Sequence, residues 1–118
     1  MSKKDHPSHY WDPHDYGIVD TNNGEELWEK LIRLHKNIRL VLSGHVLNSG
    51  IATRIDVGNQ GNTVNQILAN YQMLPNGGNG YLRYLKFSPV NAEITVYTYS
   101  PCTMQFLQDS ENQFTVSY

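Results

Sequence analysis

Hydrophobic residues recur at helical spacing over one stretch of the chain, residues 22–37. Its apolar positions are Leu27, Trp28, Leu31, Ile32 and Leu34. Asn22 is a good N-cap residue, Glu25 follows three positions later as in a capping box, and Asn37 suits a left-handed stop. The pattern predicts a helix over residues 22–37. Residues 1–21 show no regular period and are predicted to be a loop.

A short apolar run follows the predicted helix and ends in a glycine and a histidine. Residues 38–42 are nearly continuous in apolarity, which is typical of a strand covered on both faces. In α/β units, ligands gather at the carboxyl ends of such strands. Gly44 allows a sharp turn, and the imidazole of His45 could then serve as a metal ligand or an acid. A purely structural role for His45 fits the sequence equally well.

The remainder of the chain predicts short strands joined by tight turns. Apolar and polar residues alternate over residues 51–57 and 113–118, and residues 81–87 and 93–99 are further predicted strands. The last two of these segments are predicted to form a hairpin. Residues 63–72 fit helical spacing almost as well as a strand, and their neighbours favour the strand. The predicted fold class is α/β of the α+β kind, with one helix followed by mostly antiparallel strands over residues 38–118.

Composition excludes several classes of function. Charged residues make up 17% of the 118 residues, against about 25% in an average globular protein, and the net charge is −2. These values argue against a nucleic-acid-binding surface. No apolar run approaches the roughly 20 residues of a membrane-spanning helix. The basic residues at the start lack the apolar segment of a secretory signal.

The single cysteine, Cys102, narrows the chemistry further. One thiol excludes an intramolecular disulfide framework and a cysteine-based zinc site. No acid–base partner for a nucleophilic thiol can be identified in the sequence. Cys102 is therefore not a candidate nucleophile.

The N-terminal loop carries alternating metal-ligating residue types. These are Asp5, His6, His9, Asp12, His14 and Asp15. Imidazole and carboxylate groups suit divalent first-row metals. The spacing matches no closed zinc motif, however, and prolines limit how the loop could wrap an ion. A polar surface loop is therefore the favoured interpretation.

Two further sets of residues are candidate ligand-binding groups. The tyrosines Tyr71, Tyr81, Tyr84, Tyr97 and Tyr99 offer a stacking platform for a sugar or a base. Asn62, Asn65 and Asn70, beside Gln66, carry amides of the kind that bind sugars and phosphates. The favoured interpretation is structural for both: sheet core or rim for the tyrosines, turns and strands for the asparagines.

Residues 40–47, with the run Ser43-Gly44-His45, resemble the end of a calcineurin-like metallophosphoesterase, where a buried strand delivers a Gly-His metal-binding motif. Further segments resemble one bacterial subgroup of that family, in the same order. They are residues 11–17, 24–28, 61–66, 69–72, 78–83, 98–101 and 109–114. The resemblance covers almost the whole chain from about residue 10.

This resemblance implies a four-layer αββα sandwich around a site for two divalent metal ions, with manganese, iron and zinc not distinguished. His45 matches the first histidine of the family's final Gly-His-x-His motif, which is a metal ligand. Leu47 replaces the second histidine of that motif, and Asn65 stands where members of the subgroup often carry histidine. His14 would lie near the metal cleft, as a substrate contact or a group supporting the site.

The family's other ligand motifs are absent from this chain. We therefore expect residues 1–118 to form a C-terminal fragment of one metallophosphoesterase domain. The intact enzyme would hydrolyse a phosphoester, whereas the isolated chain would be inactive. The resemblance also implies exported relatives, and sheet edges left open by a missing half would favour self-association.

Two alternatives remain open at this point. One is a freestanding β-rich module that binds carbohydrate or peptide through its tyrosines and asparagines. The other is a degenerate, non-catalytic relative of the phosphoesterases, which the replacement at Leu47 supports.

Overall fold

The computed structural model describes residues 12–47 and 50–118, so the predictions made for Asp5, His6 and His9 lie outside the described residues. The first elements in chain order are a 3-10 turn Pro13–Tyr16, helix α1 Gly24–Lys30 and a second 3-10 turn Ile32–Leu34. Three strands follow, β1 Leu40–Ser43, β2 Ile51–Val57 and β3 Thr63–Ala69. After the one-turn helix α2 Pro75–Gly78 come strands β4 Leu82–Ser88, β5 Glu93–Ser100, β6 Gln105–Leu107 and β7 Phe114–Ser117. The chain divides into two compact units, Met1–Asn70 and Tyr71–Tyr118.

Helix α1 is shorter than the predicted helix, and its N-cap lies one residue later than expected. Its N-cap is Asn23, whose side-chain oxygen accepts a hydrogen bond from the backbone N–H of Glu26, while Glu26 accepts one from the backbone N–H of Asn23. The capping box is therefore built by Asn23 and Glu26, and not by Asn22 and Glu25. The helix ends at Lys30 because Leu31 leaves helical geometry, at φ −136° and ψ −63°.

The first unit carries a three-stranded sheet in the order β1-β3-β2. Strand β1 pairs with β3 in parallel, and β2 pairs with β3 antiparallel. The ambiguous segment beginning at residue 63 is thus a strand, as predicted. It is the central one, and five consecutive residues of β3 are buried: Val64, Asn65, Gln66, Ile67 and Leu68.

The two outer strands of this sheet are less buried than their sequences predict. Leu42 on β1 is 57% exposed, and Ile55 and Val57 on β2 are 58% and 66% exposed. The segment predicted to be a strand covered on both faces forms the four-residue strand β1. Within the described part of the chain, β1 is an edge strand that pairs with β3 alone. Strand position, rather than apolarity, decides burial here.

The second unit carries a four-stranded antiparallel sheet. The predicted hairpin is confirmed as β4 and β5, and the terminal strand as β7. The reversal predicted around residues 75–80 is also present, since Asn76 and Gly77 in α2 have φ values of 56° and 68°. The pattern did not predict strand β6. This strand pairs with the carboxyl-terminal end of β5, whereas β7 pairs with the preceding residues of β5.

Strand β5 shows a strict alternation between its two faces. Its buried residues are Ile94, Val96, Thr98 and Ser100, and the residues between them are part-exposed. The described residues therefore form a mixed α+β structure, with one multi-turn helix and mostly antiparallel sheets, as the sequence predicts. No helix in the described ranges is long and apolar enough to cross a membrane.

Candidate functional site

His45 lies immediately beyond the carboxyl end of β1, separated from the strand by Gly44. Its backbone is left-handed, with φ 58°, and the residue is exposed. Left-handed geometry is uncommon for residues other than glycine, although histidine is among those enriched in it. Such a conformation costs about 1–3 kcal/mol and persists only where surrounding contacts hold it.

Contacts with the end of β3 hold the residues around His45 in place. The side-chain amide of Asn70 donates a 3.1 Å hydrogen bond to the carbonyl oxygen of Val46. The backbone N–H of Asn70 donates a 2.7 Å bond to the carbonyl oxygen of Gly50. A Cβ atom on Gly50 would lie 2.5 Å from the Val46 oxygen and 2.7 Å from the Asn70 Cβ, so only glycine fits. Residues 44–47, which we call the His45 loop, are thereby fastened to the central strand.

Tyr16 is the aromatic neighbour of His45. The two ring centroids lie 6.4 Å apart with the planes at 37°. Tyr16 ends the 3-10 turn that also contains His14, so the structure brings that turn beside the His45 loop. The structure thus brings the 3-10 turn and the His45 loop together, while the metal cleft itself stays a prediction.

Both ring nitrogens of His14 already face protein oxygens. Nδ1 lies 3.2 Å from a carboxylate oxygen of Asp12, and Nε2 lies 2.8 Å from Oε2 of Glu26. Nε2 is also 3.1 Å from the carbonyl oxygen of Thr21. Asn23 Nδ2 donates to Asp12 as well, at 3.1 Å. These contacts tie the 3-10 turn to the first turn of α1, while a role of His14 in substrate contact stays a prediction.

Glu26 is the charged centre of this cluster. Its pKa is lowered from 4.5 to about 2, chiefly because the backbone N–H of Asn23 donates to the carboxylate. A hydrogen bond from the Lys30 ammonium, at 3.0 Å, lowers the pKa further. The carboxylate therefore stays ionised at any ordinary pH and keeps its partners oriented.

The described residues do not by themselves fit a metal ion. Within residues 12–47 and 50–118 no three histidine, cysteine, aspartate or glutamate side chains are grouped so that they could hold one. Asp12 and Glu26 both contact His14, but at different ring nitrogens, which point in different directions from the ring. The two carboxylates and the imidazole therefore cannot converge on one ion in this arrangement.

The other predicted positions fall in varied surroundings. Leu47 is half-buried in the His45 loop, and Asn65 is fully buried on β3, in register with Leu40 and Ile55. Asn62 donates a 3.0 Å hydrogen bond to the carbonyl oxygen of Ile38. Asn62 and Asn70 thus have structural contacts, in line with the favoured interpretation.

In the second unit, Asn112 is the hub of a polar network that the sequence did not reveal. It is 6% exposed, and its side-chain oxygen accepts from the Tyr71 hydroxyl at 3.1 Å and from Arg83 at 3.2 Å. Its side-chain nitrogen donates to both carboxylate oxygens of Asp109, and its carbonyl oxygen accepts from Thr98. Hydrogen bonding by Asn112 lowers the pKa of Asp109. The Asp-x-x-Asn spacing of Asp109 and Asn112 is the only local signal of this network. The other residues bonded to Asn112 are 14 to 41 positions away in the sequence.

The predicted tyrosine platform is divided between the two faces of the second sheet. Tyr71 is buried in the Asn112 network, with Tyr81 6.0 Å away. Tyr84 and Tyr97 are cross-strand partners whose rings stack at 5.1 Å and 17° on the other face. The sequence identified both groups but not their separation.

No protein-family model matches this chain, and no solved structure matches it. The chain is similar to the uncharacterized protein YvnB of Bacillus subtilis (strain 168). The two are 36% identical over 96 residues, which cover 75% of this chain. The matched region spans 7% of the length of YvnB.

Proposed function

We propose that this chain is the C-terminal portion of a calcineurin-like metallophosphoesterase, in which His45 supplies one metal ligand. The intact protein would be a metal-dependent phosphoester hydrolase with the four-layer αββα fold of that family. The observation that carries the proposal is the position of His45, exposed and left-handed directly after a strand of a partly parallel sheet.

The packing around His45 supports a functional role for its backbone geometry. A left-handed backbone at a residue other than glycine carries an energetic cost. The Asn70 bond to Val46 and the close approach of Gly50 fix the loop that carries it. A preorganised ligand loses less conformational entropy when it binds.

The remaining ligands of a metal site would come from residues outside the described ranges. A two-metal phosphoesterase needs several carboxylates and imidazoles to hold its ions and clamp both oxygens of the reacting phosphate. Similarity to a region that makes up 7% of YvnB supports a longer protein as the natural context of such a segment. We accordingly expect no phosphoesterase activity from the 118-residue chain.

Activity of the isolated chain is the first test. The purified chain is incubated with p-nitrophenyl phosphate and manganese, and release of nitrophenol is followed. No turnover above the metal alone is expected. Turnover that disappears in His45→Ala would contradict the fragment assignment.

The decisive test uses the reading frame that contains the Met1 codon. Asp-x-His and Gly-Asp-x-x-Asp motifs are expected in frame upstream, and a stop codon there would contradict the proposal. In the protein made from that longer frame, His45→Ala should lower metal content and turnover at least about 10-fold, the loss caused by removing even a residue that supports a metal ligand. His35→Ala, at another exposed histidine of the same unit, is the matched control.

A degenerate relative without catalysis is the second candidate, and Leu47 favours it. The side chain of leucine cannot ligate a metal, so one ligand of the family motif is absent at its usual position. Titration of the longer protein with manganese separates the two candidates. Stoichiometric binding with turnover supports the enzyme, and absence of both supports the degenerate relative.

A further inference from the structure

The second sheet has a groove beside β5, where Tyr97 has a regular partner on the β4 edge but none on the edge shared by β6 and β7. Counting the β6 register on from Thr98–Leu107 brings Gln108 opposite Tyr97. Counting the β7 register back from Val96–Phe114 brings Gln113 opposite the same Tyr97. The chain leaves the sheet between these two glutamines and returns to it. An open surface groove of about 350 Å³ lies there.

Hydrogen bonds anchor the loop that leaves the sheet. Asn112, through its bonds to Asp109 and Thr98, fastens the loop to β5. Arg83 donates a 2.9 Å bond to the carbonyl oxygen of Glu111 and also contacts Asn112. These bonds hold the backbone between the two glutamines, whereas the ends of the glutamine side chains are left available to a ligand.

The groove is lined by aromatic rings and by polar side chains that all belong to one face of the sheet. The lining residues are Tyr84, Lys86, Tyr97, Phe106, Gln108 and Gln113. Tyr84 and Phe106 are 40% and 45% exposed. In the described structure the polar ends of Lys86, Gln108 and Gln113 have no hydrogen-bond or ion-pair partner. The groove thus combines apolar ring surface with unused donors and acceptors, the composition of a small-ligand site.

We infer that this groove binds a neutral saccharide. The C–H face of a sugar ring stacks on aromatic side chains, and its hydroxyl groups both donate and accept. Each glutamine amide also offers both functions, with two N–H donors and one carbonyl acceptor. Lys86 adds donors at the rim. The site lies wholly in the Tyr71–Tyr118 unit, so the inference does not depend on the role proposed for His45.

Other ligand classes match this lining less well. A polyproline helix presents carbonyl acceptors and no N–H donors, so the two glutamine carbonyls would stay unused. A nucleotide brings several negative charges, whereas the lining has one cation, in a chain of net charge −2. A cationic ligand would meet Lys86 and no carboxylate in the lining.

The test is calorimetric titration of the 118-residue chain with cellohexaose, xylohexaose and chitohexaose. Binding of at least one of the three is expected. Tyr84→Ala and Phe106→Ala should each lower the association constant about tenfold, as truncation of a central aromatic contact does. Gln108→Ala and Gln113→Ala change surface residues that lack partners, so they test the site without endangering the fold. We expect them to weaken binding about threefold to tenfold.

Phe87→Ala is the matched control, because Phe87 is an exposed aromatic residue of the same strand as Tyr84 but outside the groove. It should leave the association constant unchanged. Failure of all three hexasaccharides to bind would overturn the inference. So would binding that survives Tyr84→Ala and Gln113→Ala, or a chain that binds only decaproline or ATP in parallel titrations.

Discussion

The side-chain amide of Asn70 donates a 3.1 Å hydrogen bond to the carbonyl oxygen of Val46, and so connects the end of β3 with the residue that follows His45. This bond joins two segments 24 residues apart. Because parallel strands end at the same edge of a sheet, the loop after β1 and the residue after β3 meet there. The geometry at His45 is therefore a property of the sheet as well as of the loop.

Replacing Asn70 by alanine should loosen the His45 loop. We expect the free energy of unfolding to fall by about 1 kcal/mol, the usual net contribution of such a hydrogen bond. The imidazole resonances of His45 should also shift or broaden. Urea unfolding and proton–nitrogen NMR measure the two effects. Asn91→Ala, at an exposed asparagine between β4 and β5, should show neither effect.

Replacing Gly50 by alanine should be more damaging. The added Cβ would meet the Val46 oxygen at 2.5 Å and the Asn70 Cβ at 2.7 Å, and backbone atoms can yield only by displacing the loop. We expect a loss of about 3 kcal/mol, at the upper end of the range for overpacking.

Gly61→Ala is the comparison for this prediction. Gly61 has φ +76° but open space around its Cβ position, so it carries the backbone penalty alone, about 1 kcal/mol. Thermal or urea unfolding gives both values. Equal losses in the two variants would show that the close approach at Gly50 is unimportant.

Glu26 should make stability depend on pH in the acid range. Its pKa in the folded chain is about 2, below the ordinary 4.5, so the ionised carboxylate favours the folded state. The contribution is fully present above about pH 5 and is lost as the pH falls from 4.5 towards 2. Glu26→Gln should therefore differ from the wild type most above pH 5, and the difference should shrink below it.

Unfolding of both proteins between pH 2 and pH 7 measures this difference. Glu111→Gln, at an exposed residue in the second unit, is the control. A Glu26→Gln difference that stays constant across the range would contradict the linkage to the carboxylate.

Replacing Asn112 by alanine should destabilise the second unit. The Tyr71 hydroxyl and Arg83 would lose an acceptor, and Asp109 would lose the side-chain amide that donates to it. Because this network is buried, we expect a cost of about 2–3 kcal/mol. Hydrogen exchange should rise at residues 109–113. Unchanged exchange there would show that the loop is held by other contacts.

The start of α1 shows how far local sequence can predict structure. Two overlapping pairs, Asn22 with Glu25 and Asn23 with Glu26, both satisfy the spacing of a capping box. The structure selects the second pair, since Asp12 accepts from Asn23 and His14 contacts Glu26. Those contacts come from a loop 11 to 12 residues upstream, which no helical pattern contains.

For the candidate sites, too, the sequence predicts some features and not others. The position of His45 after a strand could be predicted from apolar patterning, because strand and turn signals are local. Its left-handed backbone could not be predicted, since the Asn70 side chain that fastens the loop is 24 residues away from Val46 in the sequence. Likewise the tyrosines stand out in the sequence, but the approach of Gln108 and Gln113 to Tyr97 follows only from strand register.

The strand order of the first sheet has a consequence for how the chain folds during synthesis. Strand β3 is central in space but last in sequence, and within the described residues β1 and β2 pair only with it. Neither outer strand can complete its ladder until residues 63–69 have left the ribosome. Until then, the segments that contain Leu42, Ile55 and Val57 lack the neighbouring strand with which they form hydrogen bonds. Translation pauses shortly before β3 would therefore prolong the interval in which the nascent chain is most prone to aggregation.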